Sequence, residues 1–137
     1  MSGSILVDTG PIVAMLSEAD QHHVACVEEL RKLSGPLVTC WPVVTEAAWL
    51  LRTHSAGIQA ILSGFDRGVY QLAPLGAGDM PNIARLLAKY KSLQLQLADA
   101  ALLHLANREQ IDTIFTLDRR DFSVVRMKTG KKFRVLP

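Results

Sequence analysis

Ile5-Leu6-Val7-Asp8-Thr9-Gly10-Pro11 is the stretch on which the fold turns. A polar start gives way to three consecutive apolar residues, and the run closes at once on aspartate, glycine and proline. That pattern predicts a short buried strand followed by a turn. Pro11 suits the first turn of a helix, where its missing N–H has no helical carbonyl to serve, and the helix should continue through Met15 and Leu16.

Outward from this unit the alternation repeats. Residues 23–33 predict a helix with Val24, Val27 and Leu30 on one face, closed by Ser34-Gly35-Pro36. Residues 37–40 predict a strand, and Trp41-Pro42 opens a helix carrying Val43, Val44, Ala47, Trp49, Leu50 and Leu51. Residues 58–65 predict a helix and residues 69–73 a strand, and Asp79 should N-cap a helix reaching about Tyr90. Residues 97–108 are apolar on nearly every face, which predicts a central helix. A strand over 113–116 and a turn at Thr129-Gly130 lead into a last apolar run, 133–136. Strands alternating with helices imply a three-layer α/β fold, a mostly parallel central sheet of about five strands flanked by helices. Without internal repeat, low-complexity segment or linker, residues 1–137 read as a single domain.

Composition narrows the class. Apolar residues make up 49% and charged ones 20% of 137 residues, a balance that supports a packed core and excludes a disordered or fibrous chain. No apolar run reaches the roughly 20 residues that span a bilayer, and no leader-like segment precedes Ile5, so the expected location is cytoplasmic. Cys26 and Cys40 have no partner at disulfide or zinc spacing and read as reduced core residues. The net charge of +2 is small, but seven of fifteen basic residues fall in the last nineteen positions. Of these, Arg119, Arg120, Lys131 and Lys132 are candidates to meet phosphate; the plainer reading is a solvated C-terminal hairpin.

The chemistry rests on acids. In such a domain ligands collect beyond the carboxyl ends of the strands. Asp8 and Asp118 each follow a strand, Asp99 lies in the first turn of the helix before the 113–116 strand, and Glu46 sits inside an apolar helix. A carboxylate in apolar surroundings needs a counter-charge, and neither Glu46 nor Asp99 has a basic residue within a helical turn. Arginine could supply the charge. A divalent cation would also reverse the mutual repulsion of gathered acids, and an all-oxygen ligand set favours Mg²⁺ or Mn²⁺. Thr9 and Thr116, beside two of the acids, could orient a carboxylate or a bound water, or could serve their own turns. Taken alone, Asp8 and Asp99 read equally well as helix caps, and Glu46 as a residue on a narrow solvent face. Asp121 competes with Asp118 as the fourth acid; it could instead cap the next turn or pair with an arginine. His104 reads as a satisfied, partly buried residue, and Trp41 and Trp49 as core or dimer-interface residues.

Four segments together resemble one family. Val7-Asp8-Thr9-Gly10-Pro11-Ile12-Val13-Ala14 resembles the opening motif of PIN domains; Thr45-Glu46-Ala47-Ala48-Trp49-Leu50-Leu51, Leu97-Ala98-Asp99-Ala100-Ala101-Leu102 and Thr116-Leu117-Asp118-Arg119-Arg120-Asp121-Phe122 resemble the three segments that follow it. They occur in order across nearly the whole chain. The resemblance implies a metal-dependent endoribonuclease like the VapC toxins of toxin-antitoxin pairs. It implies metal binding chiefly by Asp8 and Asp99, with Glu46 and Asp118 completing the site. It further implies an RNA substrate, a homodimer and a cognate antitoxin. Gly10 stands where many relatives carry serine or asparagine.

Other classes stay in view. A non-toxin PIN nuclease of RNA processing would share every motif, and a non-catalytic interaction domain could keep the acidic pocket. A phosphoacceptor module would need an aspartate ending a middle strand and a lysine ending a later one; the 37–40 and 69–73 strands end in Cys40 and Ala73.

Overall fold

The computed structural model describes residues 3–137. Five three-residue strands form one sheet: β1 (Ile5–Val7), β2 (Leu37–Thr39), β3 (Tyr70–Leu72), β4 (Thr113–Phe115) and β5 (Arg134–Leu136), in spatial order β3-β2-β1-β4-β5. All four neighbouring pairs are parallel, so the sheet is wholly rather than mostly parallel. Parallel pairing forces each connection to cross from one end of the sheet to the other, and helices supply the crossovers. These are α1 (Thr9–Leu16), α2 (His23–Lys32), α3 (Trp41–Leu50), α4 (Gly57–Asp66), α5 (Met80–Lys89), α6 (Leu97–Glu109) and α7 (Arg119–Val124).

Central position explains the apolar run of β1. Leu6 and Val7 are fully buried, as are Leu37, Ile114 and Phe115 on the flanking strands. Every residue of α6 from Ala98 to Ala106 is buried. That stretch therefore has no solvent face to make polar, and its all-round apolar sequence follows from its place. Cys26 and Cys40 are fully buried, and desolvation pushes both thiols up to about 11, which keeps them protonated and unreactive.

The structure departs from the sequence reading at several points. Helix α1 takes the place of the expected turn and starts at Thr9, with Pro11 in its first turn as read and the Asp8 side chain accepting the Thr9 N–H at 2.7 Å as its cap. Asp79 occupies the N-cap position of α5 but does not cap it. Its carboxylate accepts instead from Gly76 N at 2.8 Å and meets His104 Nε2 at 2.8 Å and Arg108 Nη1 at 3.1 Å. Asp79 thus clamps the turn before α5 onto α6, and His104 is buried and satisfied. Trp41 and Trp49 are not core residues, being 57% and 63% exposed. Short α7 has little apolar periodicity and was not expected; an Asp118 cap starts it, and the edge-on packing of Phe122 against Phe133, 5.8 Å between centroids, holds it down. The Thr129-Gly130 turn forms as expected, with Gly130 at φ +88° and an antiparallel bridge between Arg126 and Lys132.

Candidate active site

The chain leaves β1 toward β2 and β3 on one side, and places β4 and β5 on the other. Between β1 and β4 the order of winding reverses, the place where open α/β sheets form a ligand crevice beyond the carboxyl ends of the strands. Asp8 is the first residue past β1, and its N–H donates to Phe115 O at 2.9 Å, the last residue of β4. From the β4 side Thr116 Oγ1 donates to Asp8 Oδ2 at 2.8 Å. The same Oγ1 accepts the Asp118 N–H at 3.0 Å. One buried hydroxyl therefore orients one acid and fixes the backbone of another.

Two further elements bring the remaining acids. Asp99 lies in the first turn of α6, and its Oδ2 accepts the N–H of Gln96 at 3.1 Å. Glu46, half-buried, projects from α3. The charges of Glu46 and Asp118 act on both Asp8 and Asp99, and that of Asp8 acts on Asp99. Four carboxylates from separate parts of the chain thus share one crevice.

Electrostatics there are unbalanced. Burial, the largest cause, raises the Asp8 pKa, opposed by its bonds from Thr116 and Thr9 and reinforced by Glu46 and Asp118. Asp99 is pushed up to about 7, first by desolvation and then by Asp8. No basic side chain is among the main causes of either shift, and among the described residues no ion pair reaches any of the four acids. Asp121 stands one step back: its N–H donates to Asp118 Oδ1 at 3.2 Å, and its own carboxyl is raised by burial and by Asp118.

This pattern of acids extends across a recognised domain. The PIN-domain family model matches residues 5–127, from the start of β1 to beyond α7. The chain belongs to the PIN-domain family. Ribonuclease VapC26 of Mycobacterium tuberculosis strain H37Rv is 35% identical over 136 residues, 97% of this chain and all of that one. The fold of this PIN domain also matches the crystal structure of VapC20, a toxin of the same species that cleaves the sarcin–ricin loop. There the TM-score is 0.73 at 17% identity, with 85% of this chain and 91% of that chain covered.

The donor set of the PIN-domain crevice suits a hard divalent cation, being carboxylate and hydroxyl oxygen only. Thr9 Oγ1, at the start of α1 beside Asp8, is a buried polar atom with no hydrogen-bond partner. Among the described residues, no three acidic, histidine or cysteine side chains are drawn together as tightly as a closed metal cage. A bound cation would offset the repulsion among these acids.

The basic residues divide. Arg119 and Arg120 are exposed on the first turn of α7, directly after Asp118, with Arg119 donating to the Pro137 carbonyl. Lys131 is ion-paired with Asp112, which leads into β4, and Lys132 just precedes β5. Both lysines therefore lie toward the amino ends of the strands, the edge opposite the acids. A serine at position 10 would press on Leu117, whose Cδ1 lies 3.2 Å from the place of a Cβ there, and glycine suits that contact. Sequence reasoning missed the Asp79, His104 and Arg108 cluster, whose members lie 25 and 29 positions apart with no motif to link them.

Proposed function

We propose that this chain, acting as a single domain of residues 1–137, is a metal-dependent endoribonuclease, the toxin of a toxin-antitoxin pair. The observation that carries the reading is the convergence of Asp8, Glu46, Asp99 and Asp118 on one crevice with no basic counter-charge. Asp8 and Asp99 would hold Mg²⁺ or Mn²⁺, with Glu46 and Asp118 completing the site and Asp121 supporting Asp118. When bound, such an ion lowers the pKa of a water ligand and neutralises charge developing on a phosphodiester. Thr116 keeps the Asp8 carboxylate turned to the crevice, the Gln96 N–H does the same for Asp99, and Thr9 has a hydroxyl to spare for a bound water. Arg119 and Arg120 are placed to meet phosphates flanking the scissile one.

Relatedness supports the biological role. VapC26, named a ribonuclease, aligns end to end with this chain, and VapC20, named a toxin, shares its fold. We extend to this chain an RNA substrate in the cytoplasm and a protein antitoxin that covers the acids. We also extend a homodimer, built on the exposed apolar face of Trp41 and Trp49 on α3 with Met80 and Leu97 beside it.

The test is cleavage of a mixed tRNA and rRNA pool with Mg²⁺ or Mn²⁺, beside EDTA and an Asp8→Asn/Asp99→Asn control. Discrete fragments that require both metal and acids support the reading. No cleavage by folded, inhibitor-free protein under either metal overturns it.

A further inference from the structure

A second polar cavity opens on the flank of the molecule, between α5, the carboxyl half of α6 and the segment after α7. Its volume is about 430 Å³, within the range of small-ligand sites. Five cations line it: Arg85 and Lys89 from α5, Arg108 from α6, and Arg126 and Lys128 from the segment after α7. Asp79 is the one carboxylate in the lining, and it is already engaged by Gly76, His104 and Arg108.

The remaining cations are held in place without being neutralised. Arg85 donates to the Asn82 side chain, the Lys89 ammonium stands 5.4 Å from the Tyr90 ring centroid, and Arg126 donates to the carbonyls of Ser123, Val124 and Val125. The Lys128 N–H donates to Asn107. No salt bridge among the described residues reaches Arg85, Lys89, Arg126 or Lys128. Like charges gathered in one concavity repel unless an anion enters it, and a cleft focuses their field outward.

We propose that this cavity is a phosphate-binding exosite that holds the backbone of the RNA substrate away from the point of cleavage. It rests on the nuclease reading above and adds to it the place where a second part of the substrate is gripped. Leu86 is the one large apolar side chain in the lining. A protein partner would therefore find almost nothing to anchor, whereas nucleic-acid contacts are polar and cationic. The amides of Asn82 and Asn107 add donors and acceptors that suit phosphate and 2′-hydroxyl. Asp99, at one end of α6, is nine residues from Arg108 at the other, about 13 Å along the helix, so a folded RNA can span both.

The experiment compares wild type with Arg85→Glu/Lys89→Glu/Lys128→Glu, all exposed and outside the acidic crevice, by fluorescence anisotropy of a labelled RNA hairpin in EDTA across a salt series. The expected result is affinity lowered tenfold or more at low salt. The slope of log affinity against log salt should also become shallower by about 2–3, the loss of three phosphate contacts. A reversal of equal charge on the remainder of the surface, Lys32→Glu/Arg67→Glu/Lys132→Glu, should cost much less. With metal added, the cavity variant should show a raised KM at unchanged kcat. Equal losses in both triple variants, or an unchanged slope in the cavity variant, overturn the exosite. Displacement of the hairpin by poly-glutamate as readily as by unlabelled RNA would also overturn it, in favour of an acidic protein partner. Failure of the wild type to cleave any RNA sinks the nuclease reading instead, and the binding arm distinguishes that outcome.

Discussion

Thr116 Oγ1 donates to Asp8 Oδ2 at 2.8 Å, joining the carboxyl ends of β1 and β4 across 108 positions of sequence. The hydroxyl also accepts the Asp118 N–H. A methyl group in its place would leave a buried carboxylate oxygen and an amide without partners. Thr116→Val, nearly the same shape, should therefore cost about 1–3 kcal/mol of stability, read by urea unfolding. The cleavage rate should fall tenfold or more at limiting Mg²⁺, and Thr116→Ser should restore most of both. A fully active Thr116→Val enzyme would show that the bond does not position Asp8.

Stability without metal should depend on pH in a specific sense. The Asp99 carboxyl titrates near 7 in the folded protein and ordinarily near 3.8. Between those values the folded state holds a proton that the unfolded chain has released, so stability falls as pH rises through the window. Asp79 works the other way at lower pH. Held down to about 2, chiefly by the Gly76 N–H and then by His104, it stabilises above its ordinary value and loses that effect as pH falls toward 2. Melting in EDTA should therefore be higher at about pH 5 than at about pH 8, by several degrees. Mg²⁺ should raise the pH 8 value selectively. Melting that rises from pH 5 to pH 8 in EDTA would contradict the buried acid cluster.

Much of this arrangement is legible in the sequence because its causes are local. Ile5-Leu6-Val7-Asp8 reads as a buried strand ending on an acid whatever lies around it, and the all-round apolar α6 reads as central because only full burial allows such a surface. Other features depend on distant partners. Asp79 has the position of a helix cap, yet His104 and Arg108, far along the chain, determine what its carboxylate does. Trp49 lies amid apolar residues that suggest a core, and its helix turns it outward, where Arg52 stacks over its ring at 3.8 Å. Lys131 belongs to a basic run in sequence, but chain direction carries it to the edge opposite the acids.

Helix α4 packs against β3 through a single missing side chain. A Cβ at Gly64 would lie 2.5 Å from Cε2 of Tyr70, whose ring is buried and packs against Phe65 at 5.3 Å. Helix propensity alone would favour alanine by up to about 1 kcal/mol, but the clash with a buried ring outweighs it. Gly64→Ala should destabilise by about 1–3 kcal/mol, and Gly64→Ala/Tyr70→Leu should recover part of that loss. Chemical denaturation of the two variants decides between clash and propensity.

The dimer face adjoins the crevice at Glu46 and is tested through the oligomeric state. Trp41, Trp49, Met80 and Leu97 line one concavity and are each more than half exposed, a concentration that a monomer seldom leaves in water. Trp49→Glu/Met80→Glu should convert a dimer to a monomer in sedimentation velocity while circular dichroism is unchanged. A wild type that sediments as a monomer at micromolar concentration would remove the dimer and leave this face to the antitoxin.

Asparagine substitutions at two acids should abolish cleavage alike and affect stability differently. Asp8 accepts two bonds on two oxygens, the Thr9 N–H on Oδ1 and the Thr116 hydroxyl on Oδ2. An amide offers a single acceptor, so Asp8→Asn turns its NH₂ toward one of those donors and loses part of what it gains from removing a charge. Asp99 accepts one bond, from Gln96, which an amide oxygen can keep, while its charge is opposed by desolvation and by Asp8. In EDTA at about pH 8, Asp99→Asn should therefore melt several degrees above wild type, and Asp8→Asn should gain less or nothing. Differential scanning calorimetry of the three proteins, with and without Mg²⁺, reads this directly, and Mg²⁺ should stabilise only the wild type strongly. A lowered midpoint for Asp99→Asn would mean that its carboxylate holds the fold together, and the role of Asp99 as a metal ligand would have to be given up.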